Sequence, residues 1–179
     1  MIVGSILLGA DDLVSELVAS RIPYMRNHSF GPCTALGVVR RGVLIGGAVY
    51  HNYVGHDVQV SIAFDSPGWA LPGTLRALFD YPFNQLGCAR MTALIGRSNK
   101  KSRKITEGLG FKLEGVHRKG LDGSEDAISY GMLKEHCPWI KGPEEWASAR
   151  QHLLHHLIQS RQLRRRPERT STVQLRLVS

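Results

Sequence analysis

The feature that most constrains this chain is a change of hydrophobic period between residues 58 and 96. Val58, Val60, Ile62 and Phe64 alternate with Gln59, Ser61 and Ala63, the two-residue period of a half-buried strand. Asp65-Ser66-Pro67-Gly68 breaks that strand. Leu75, Leu78, Phe79 and Leu86 then recur as the buried stripe of a helix over residues 73–86, with Pro72 suited to its first turn. Pro82 lies inside the stripe and predicts a kink or a rebuilt turn there, because it removes a donor. Residues 91–96 read as a strand again. Strand, helix and strand in this order make a crossover, so segments 58–64 and 91–96 are expected to run parallel and side by side.

The flanking segments extend this unit in both directions. Residues 1–8 read as a first strand: they lack the basic region and small-residue cleavage site of a signal peptide. Asp11 and Asp12 suit a helix start, followed by Leu13 and Leu17 with Val14 and Val18 on an apolar face, up to Pro23. After an irregular stretch, strands are expected at 34–40 and 43–53, turning at Arg41-Gly42, with Gly46-Gly47 marking a bulge or a close approach. With 58–64 they form an antiparallel meander. Beyond the crossover come a helix at 99–109 closed by Gly110, and strands at 111–118 and 127–133 joined by a turn at 120–124. Residues 144–162 form an amphipathic helix carrying Trp146, Ala149, Leu153 and Leu157 on one face. The fold class is α/β: a mixed central sheet, an antiparallel meander leading into a parallel pair, flanked by helices. The division expected is a domain at 1–140, a helix at 141–162 and a basic, disordered tail at 163–179.

Composition narrows the function classes. The net charge of +8 is unevenly placed: seven of the 23 basic residues, and one of the 15 acids, fall within 150–179. Clustered Arg161, Arg164, Arg165, Arg166 and Arg169 are the pattern that attracts nucleic-acid phosphates, or else a solvated terminus. No stretch is long and apolar enough to suggest a membrane span. The three cysteines, Cys33, Cys88 and Cys137, are odd in number and widely spaced, which favours neither disulfides nor zinc and fits a reducing cytoplasm. His152, His155 and His156 share a helix without an adjacent acid, so no metal is expected.

One stretch carries a motif: Asn99-Lys-Lys-Ser102, then Leu109-Gly110-Phe111-Lys-Leu-Glu114-Gly115-Val-His-Arg118. This resembles the Asn-x-x-Ser … Leu-Gly-Phe-x-x-Glu-Gly-x-x-Arg run of the GNAT acetyltransferases, nearest the branch that acetylates ribosomal proteins and N-terminal amines. The order of elements agrees over roughly residues 34–135. The resemblance implies that the parallel strands splay, that acetyl-coenzyme A is the cosubstrate, and that its pantetheine arm pairs with strand 58–64, including Ile62 and Phe64. It implies a diphosphate at the turn holding Gly73 and Thr74, where free N–H groups and the helix dipole suit an anion. Asn99 would order the loop or bond the pantetheine, and Ser102 would assist the departing thiolate. Arg97, Lys101 and Arg103 would add positive charge. The sequence departs from the family at the phosphate loop. Gly68 and Leu71 stand where the family has Gln/Arg and a first glycine, and Thr106 stands where many relatives have a tyrosine acid.

The reaction implied is attack by a neutral amine on the thioester. An alkylammonium has a pKa of about 10, so a base or a water relay must remove its proton. The candidates are Asp65 at the end of strand 58–64 and His51 on the neighbouring strand, with Tyr50 and Glu114 as lesser ones. The acceptor (a protein N-terminus, a lysine or a small molecule) is left open, and a homodimer is compatible with the sequence. Two rival readings follow from the same residues: a modifying enzyme brought to nucleic acid by the arginine tail, and a non-catalytic module whose altered loop no longer binds coenzyme.

Overall fold

The computed structural model describes residues 2–3 and 5–163. The arginine cluster from Arg164 on, and with it the expected basic tail, lies outside the described residues. The first strand expected at residues 1–8 is instead two paired strands, β1 (Ile2–Val3) and β2 (Ile6–Leu7). Helix α1 (Asp11–Ser20) follows, then the meander β3 (Cys33–Arg40), β4 (Val43–His51) and β5 (Asp57–Phe64). The crossover helix α2 (Pro72–Asp80) leads to β6 (Arg90–Gly96), α3 (Lys100–Gly108), β7 (Lys112–Leu121), β8 (Glu125–Leu133) and α4 (Pro143–Leu163). The strands form one eight-stranded sheet in the order β1-β2-β3-β4-β5-β6-β8-β7.

Pro82 does what its chemistry requires. Helix α2 gives way at Asp80 to a π-helical turn, Tyr81–Gln85, in which Leu86 N donates to Tyr81 O at 2.8 Å. The wider turn absorbs the missing proline N–H. Gly46-Gly47 proves to be a close-approach site. A Cβ on Gly47 would sit 2.5 Å from Val14 Cγ1, so α1 lies directly on the backbone of β4.

Strand pairing sorts the side chains onto two faces. Val49 packs with Val14, Val18 and Ala35 beneath α1, and His51, Gln59 and Ser61 share its face through the β4–β5 register. Tyr50, Val58 and Val60 lie on the opposite face, where Tyr50 Oη donates to Leu78 O of α2 at 2.5 Å. That second face holds the larger core, with Leu75, Phe79, Phe83, Tyr130 and Trp139 all at most 2% exposed. Trp139 Nε1 donates to Leu109 O at 2.8 Å, tying the end of α3 to this core. Helix α4 is anchored by Leu153, 1% exposed, and Gly108 lets it come close: a Cβ there would meet His156 Cβ at 2.7 Å.

The decisive detail is the β5–β6 pair. It is parallel, as expected, but only Asp57↔Arg90, Val58↔Met91 and Gln59↔Thr92 are in register. Beyond Gln59, β5 remains paired with β4 as far as Gly46↔Phe64. Beyond Thr92, β6 remains paired with β8 as far as Gly96↔Ala127. The two strands therefore part over 60–64 and 93–96, and a cleft opens through the sheet. Polar side chains clamp the closed end: Thr92 Oγ1 donates to Asp57 Oδ2 at 2.9 Å, and Arg90 spans Asp57 (3.4 Å) and Glu114 (2.6 Å).

Candidate active site

The cleft has an unequal pair of mouths. On the face covered by α2 and α3, the unpaired edge of β5 presents backbone N–H and C=O groups beside half-buried Ile62 and Phe64. Helix α2 begins next to it. Its N-cap, Leu71, is extended, no side chain caps the start, and Pro72 occupies the first turn. The early N–H groups of such a helix have no intrahelical partner, and the helix dipole favours an anion there. Space is available: a Cβ on Gly73 would meet nothing within 4 Å, and Leu71 is 42% exposed, so neither Leu71 nor Gly73 plugs the approach. These groups fit a diphosphate by donor type and by room.

Side chains brace the loop leading to α2. Trp69 stacks on Phe64 with ring centroids 4.8 Å apart. Arg40 Nε donates to Gly68 O at 3.0 Å. Thr74, 1% exposed, exchanges a hydroxyl hydrogen bond of 3.1 Å with Ser5. Its side chain is thus turned into the protein, and only its backbone is available to a ligand.

Helix α3 starts differently. Asn99 Oδ1 accepts from Ser102 N at 3.0 Å, so Asn99 is the N-cap. Ser102 lies half-buried in the first turn, and Lys101 beside it is also half-buried. Arg97 pairs with Asp126 at 2.9 Å. Arg103 donates to Tyr130 Oη at 3.1 Å and to Arg97 O at 3.3 Å, while Tyr130 Oη donates to Glu107 Oε1 at 3.0 Å. Both arginines expected beside the coenzyme therefore have partners on β8, and Arg103 also holds the Arg97 carbonyl in the link between β6 and α3.

The opposite mouth, on the α1 face, is a pocket of about 160 Å³. Ser61 from the unpaired part of β5 and Leu94 from the unpaired part of β6 both line it, so it opens onto the cleft. His51, Tyr24 and Phe30 line it too, and the β7–β8 turn at Leu121 and Asp122 closes one side. His51 Nε2 and Ser61 Oγ are hydrogen-bonded at 3.1 Å. The Phe30 ring lies 4.9 Å from the His51 ring. Burial pushes the His51 pKa down, which keeps the imidazole neutral near pH 7. Burial pushes the Tyr24 phenol up, with the Ser61 hydroxyl acting in the opposite sense.

Asp65 is placed elsewhere. Its carboxylate is gripped by Arg21 through two hydrogen bonds of 2.7 and 2.6 Å, and it is about half exposed. That guanidinium holds Asp65 below the usual carboxylate range, leaving a weak base already engaged. Tyr50 is buried against α2, and Glu114 belongs to the Arg90 clamp. His51 is the one expected base that reaches the pocket.

Tyr24 and Ser61 are the residues that sequence reasoning did not single out. Tyr24 sits in a short 3-10 turn, Pro23–Met25, with no motif around it. Ser61 occupies the outward phase of an alternating strand and reads there as a solvent-facing position. Its relation to His51 becomes visible only through the β4–β5 register, where His51 pairs with Gln59, two residues before Ser61. Among the described residues no group of three or more His, Cys, Asp or Glu side chains could hold a metal ion. No described helix is long and apolar enough to cross a membrane.

Comparison with solved structures agrees with this fold. The chain superposes on a "Probable acetyltransferase" with a TM-score of 0.51 and 26% identity, over 59% of this chain and 63% of that one. It superposes on ribosomal-protein-S5-alanine acetyltransferase from Vibrio fischeri with a TM-score of 0.50 and 23% identity, over 57% and 62% of the two chains. A GNAT-family acetyltransferase from Bacillus anthracis gives a TM-score of 0.54 at 18% identity, over 75% of this chain and 98% of that one. The chain thus spans less than two thirds of the first two and nearly all of the third. No family model matches the sequence, and no curated protein matches it.

Proposed function

For a chain that has the fold of the GNAT acetyltransferases, we propose the activity of an acetyl-coenzyme A-dependent N-acetyltransferase. The observation that carries this reading is the parting of β5 and β6 after three registered pairs. A parallel pair opened in mid-sheet exposes a backbone edge that a pantetheine amide chain can complete as an extra strand. The uncapped start of α2 beside it supplies N–H donors for a diphosphate.

The coenzyme contributes an activated acetyl group, and the protein contributes position and polarity. Backbone N–H groups on the open edge of β5 polarise the carbonyl as charge develops on its oxygen. The amine enters from the α1 face, through the pocket that holds His51 and Ser61, so the two substrates meet inside the sheet from opposite sides. Ser102 lies on the coenzyme side, near the start of α3, where its hydroxyl would serve the departing sulfur. The acceptors to test first are N-terminal amines of short peptides, by likeness to the ribosomal-protein acetyltransferase branch, with lysine and small amines as comparisons.

Two measurements test the proposal. Acetyl-coenzyme A should raise the melting temperature, because a ligand at one hundred times its Kd adds about 2.7 kcal/mol to the native state. A thiol-release assay should then show coenzyme consumption that depends on one class of amine. An unchanged melting temperature at millimolar coenzyme would instead support a binding module that has lost the coenzyme.

A further inference from the structure

We propose that Ser61 is a catalytic residue that receives the proton of the attacking ammonium and passes its own to His51. This deepens the acetyltransferase reading and rests on it. Four placements support it. Ser61 stands on the stretch of β5 that has left β6, so its hydroxyl borders the cleft itself. It is two residues past Gln59, the last β5 residue still paired with β6, and a side chain nearer the clamp would be screened by the neighbouring strand. Its hydroxyl is 3.1 Å from His51 Nε2. The His51 ring packs against Phe30 and is half-buried, an orientation fixed before any substrate arrives.

The hydrogen-bond inventory of the serine closes. A hydroxyl has one proton to give and two lone pairs to accept with. The proton goes to Nε2 of a His51 imidazole that carries its own hydrogen on Nδ1. One lone pair is available to the Tyr24 phenol, whose raised pKa keeps it a donor. The other faces the pocket, where an ammonium N–H would point. The titratable groups around His51 are few: Tyr24 from the 3-10 turn, Cys33 as its register partner on β3, and Asp122 across the pocket. The Cys33 thiol is itself pushed up by burial and by Asp11, so it remains protonated and does not compete for the proton.

The step balances. An R–NH3⁺ proton moves to Ser61 Oγ as the serine proton moves to His51 Nε2, giving a neutral amine and an imidazolium. The amine lone pair forms the N–C bond to the thioester carbonyl, and the C–S bond breaks with its electron pair on sulfur. A second nitrogen proton ends on that sulfur as the thiol. His51 returns its proton to water, so one amide, one thiol and one H⁺ leave for each ammonium consumed.

The experiment compares wild type with Ser61→Ala, Ser61→Thr and His51→Gln, using the amine that responds best in the thiol-release assay. Acetyl-coenzyme A affinity by calorimetry, and melting temperature, verify the fold and the coenzyme site of each variant. In wild type, kcat should fall on the acid side with a midpoint below the ordinary histidine value of about 6.5, since protonated His51 cannot accept. Ser61→Ala and His51→Gln should each lower kcat by roughly a hundredfold and abolish that limb, leaving a rate that climbs towards the pKa of the amine. Ser61→Thr, which keeps the hydroxyl, should restore most of the rate and the limb. Intact kcat and an unmoved limb in Ser61→Ala, with coenzyme affinity unchanged, would overturn the relay while leaving the acetyltransferase reading in place. If His51→Gln does not fold, the Ser61→Ala and Ser61→Thr pair decides alone. Wild-type protein that binds no coenzyme, or releases no thiol with any amine, would end both proposals.

Discussion

Two helices start on the same side of the cleft, and their first turns are built in opposite ways. The start of α3 is closed by its own sequence: Asn99 Oδ1 accepts the Ser102 N–H, and one orphan donor is satisfied within three residues. The start of α2 has Leu71 and Pro72 where a cap would be, and no side-chain bond. A capped helix end is locally content and offers a ligand little. An uncapped end beside open space keeps its donors and its dipole for whatever arrives. The lesson is that the start of α2 keeps N–H groups that no side chain claims, in an accessible place. Arg40, Trp69 and Thr74 brace the segment that leads into it.

Variants can break this contrast. The largest effect is expected from Gly73→Asp, which puts a carboxylate among the open donors of α2. Coenzyme affinity should drop by the order of 1.5–3 kcal/mol, the worth of hydrogen bonds to a charged group, roughly tenfold to a hundredfold by calorimetry. The melting temperature should hold or rise, because an acid in a first turn is favourable to the helix. A Gly73→Asp protein that bound coenzyme as well as wild type would remove α2 from the site. Leu71→Asn is the milder version. A new cap should raise stability by about 1 kcal/mol in chemical denaturation while weakening coenzyme by a smaller factor than Gly73→Asp does.

At α3 the expectation is reversed. Asn99→Ala should cost stability, again about 1 kcal/mol, and Asn99→Asp should recover it. If Asn99 is only a cap, coenzyme affinity will follow wild type once folding is complete. A loss of affinity in Asn99→Ala that Asn99→Asp does not repair would give the amide a direct ligand role and sharpen the contrast differently.

The smallest effect concerns pH. His51 is held below its ordinary pKa by burial, and His156, between α3 and α4, by burial and then by His152. The unfolded chain takes up these protons near pH 6.5, whereas the folded chain resists until lower pH. The unfolded state therefore binds more protons in that window, and stability declines as pH falls from about 6.5 towards the folded values. Melting temperatures at pH 7.5 and 5.5 should differ in that direction, and His156→Gln should narrow the gap. An equal gap in that variant would assign the effect to other groups.

Much of the fold was legible because it is written in local periods. The alternation at 58–64, the helical stripe around Leu75 and Phe79, and the stop at Gly110 all act over a few residues, and each formed where the pattern placed it. The rebuilt turn at Pro82 was legible for the same reason, since a missing N–H acts within one turn. The candidate site was less so. His51 could be suspected, but Asp65 had to be seen beside Arg21, 44 residues earlier in the chain, before its carboxylate could be counted as engaged. Likewise, nothing in the sequence signalled that the fold would bring Asp126 to Arg97 and Tyr130 to Arg103.

By itself, the sequence determined the order of strands and helices and the parallel crossover, since hydrophobic periods and backbone sterics decide these within a few residues. Only the tertiary structure decided that β5 and β6 part after Gln59 and Thr92, and that His51, Ser61 and Tyr24 meet at the opening. The reason is register: a strand's pattern says which side chains share a face, while its pairing says which distant residues stand opposite, and that follows from packing the whole core.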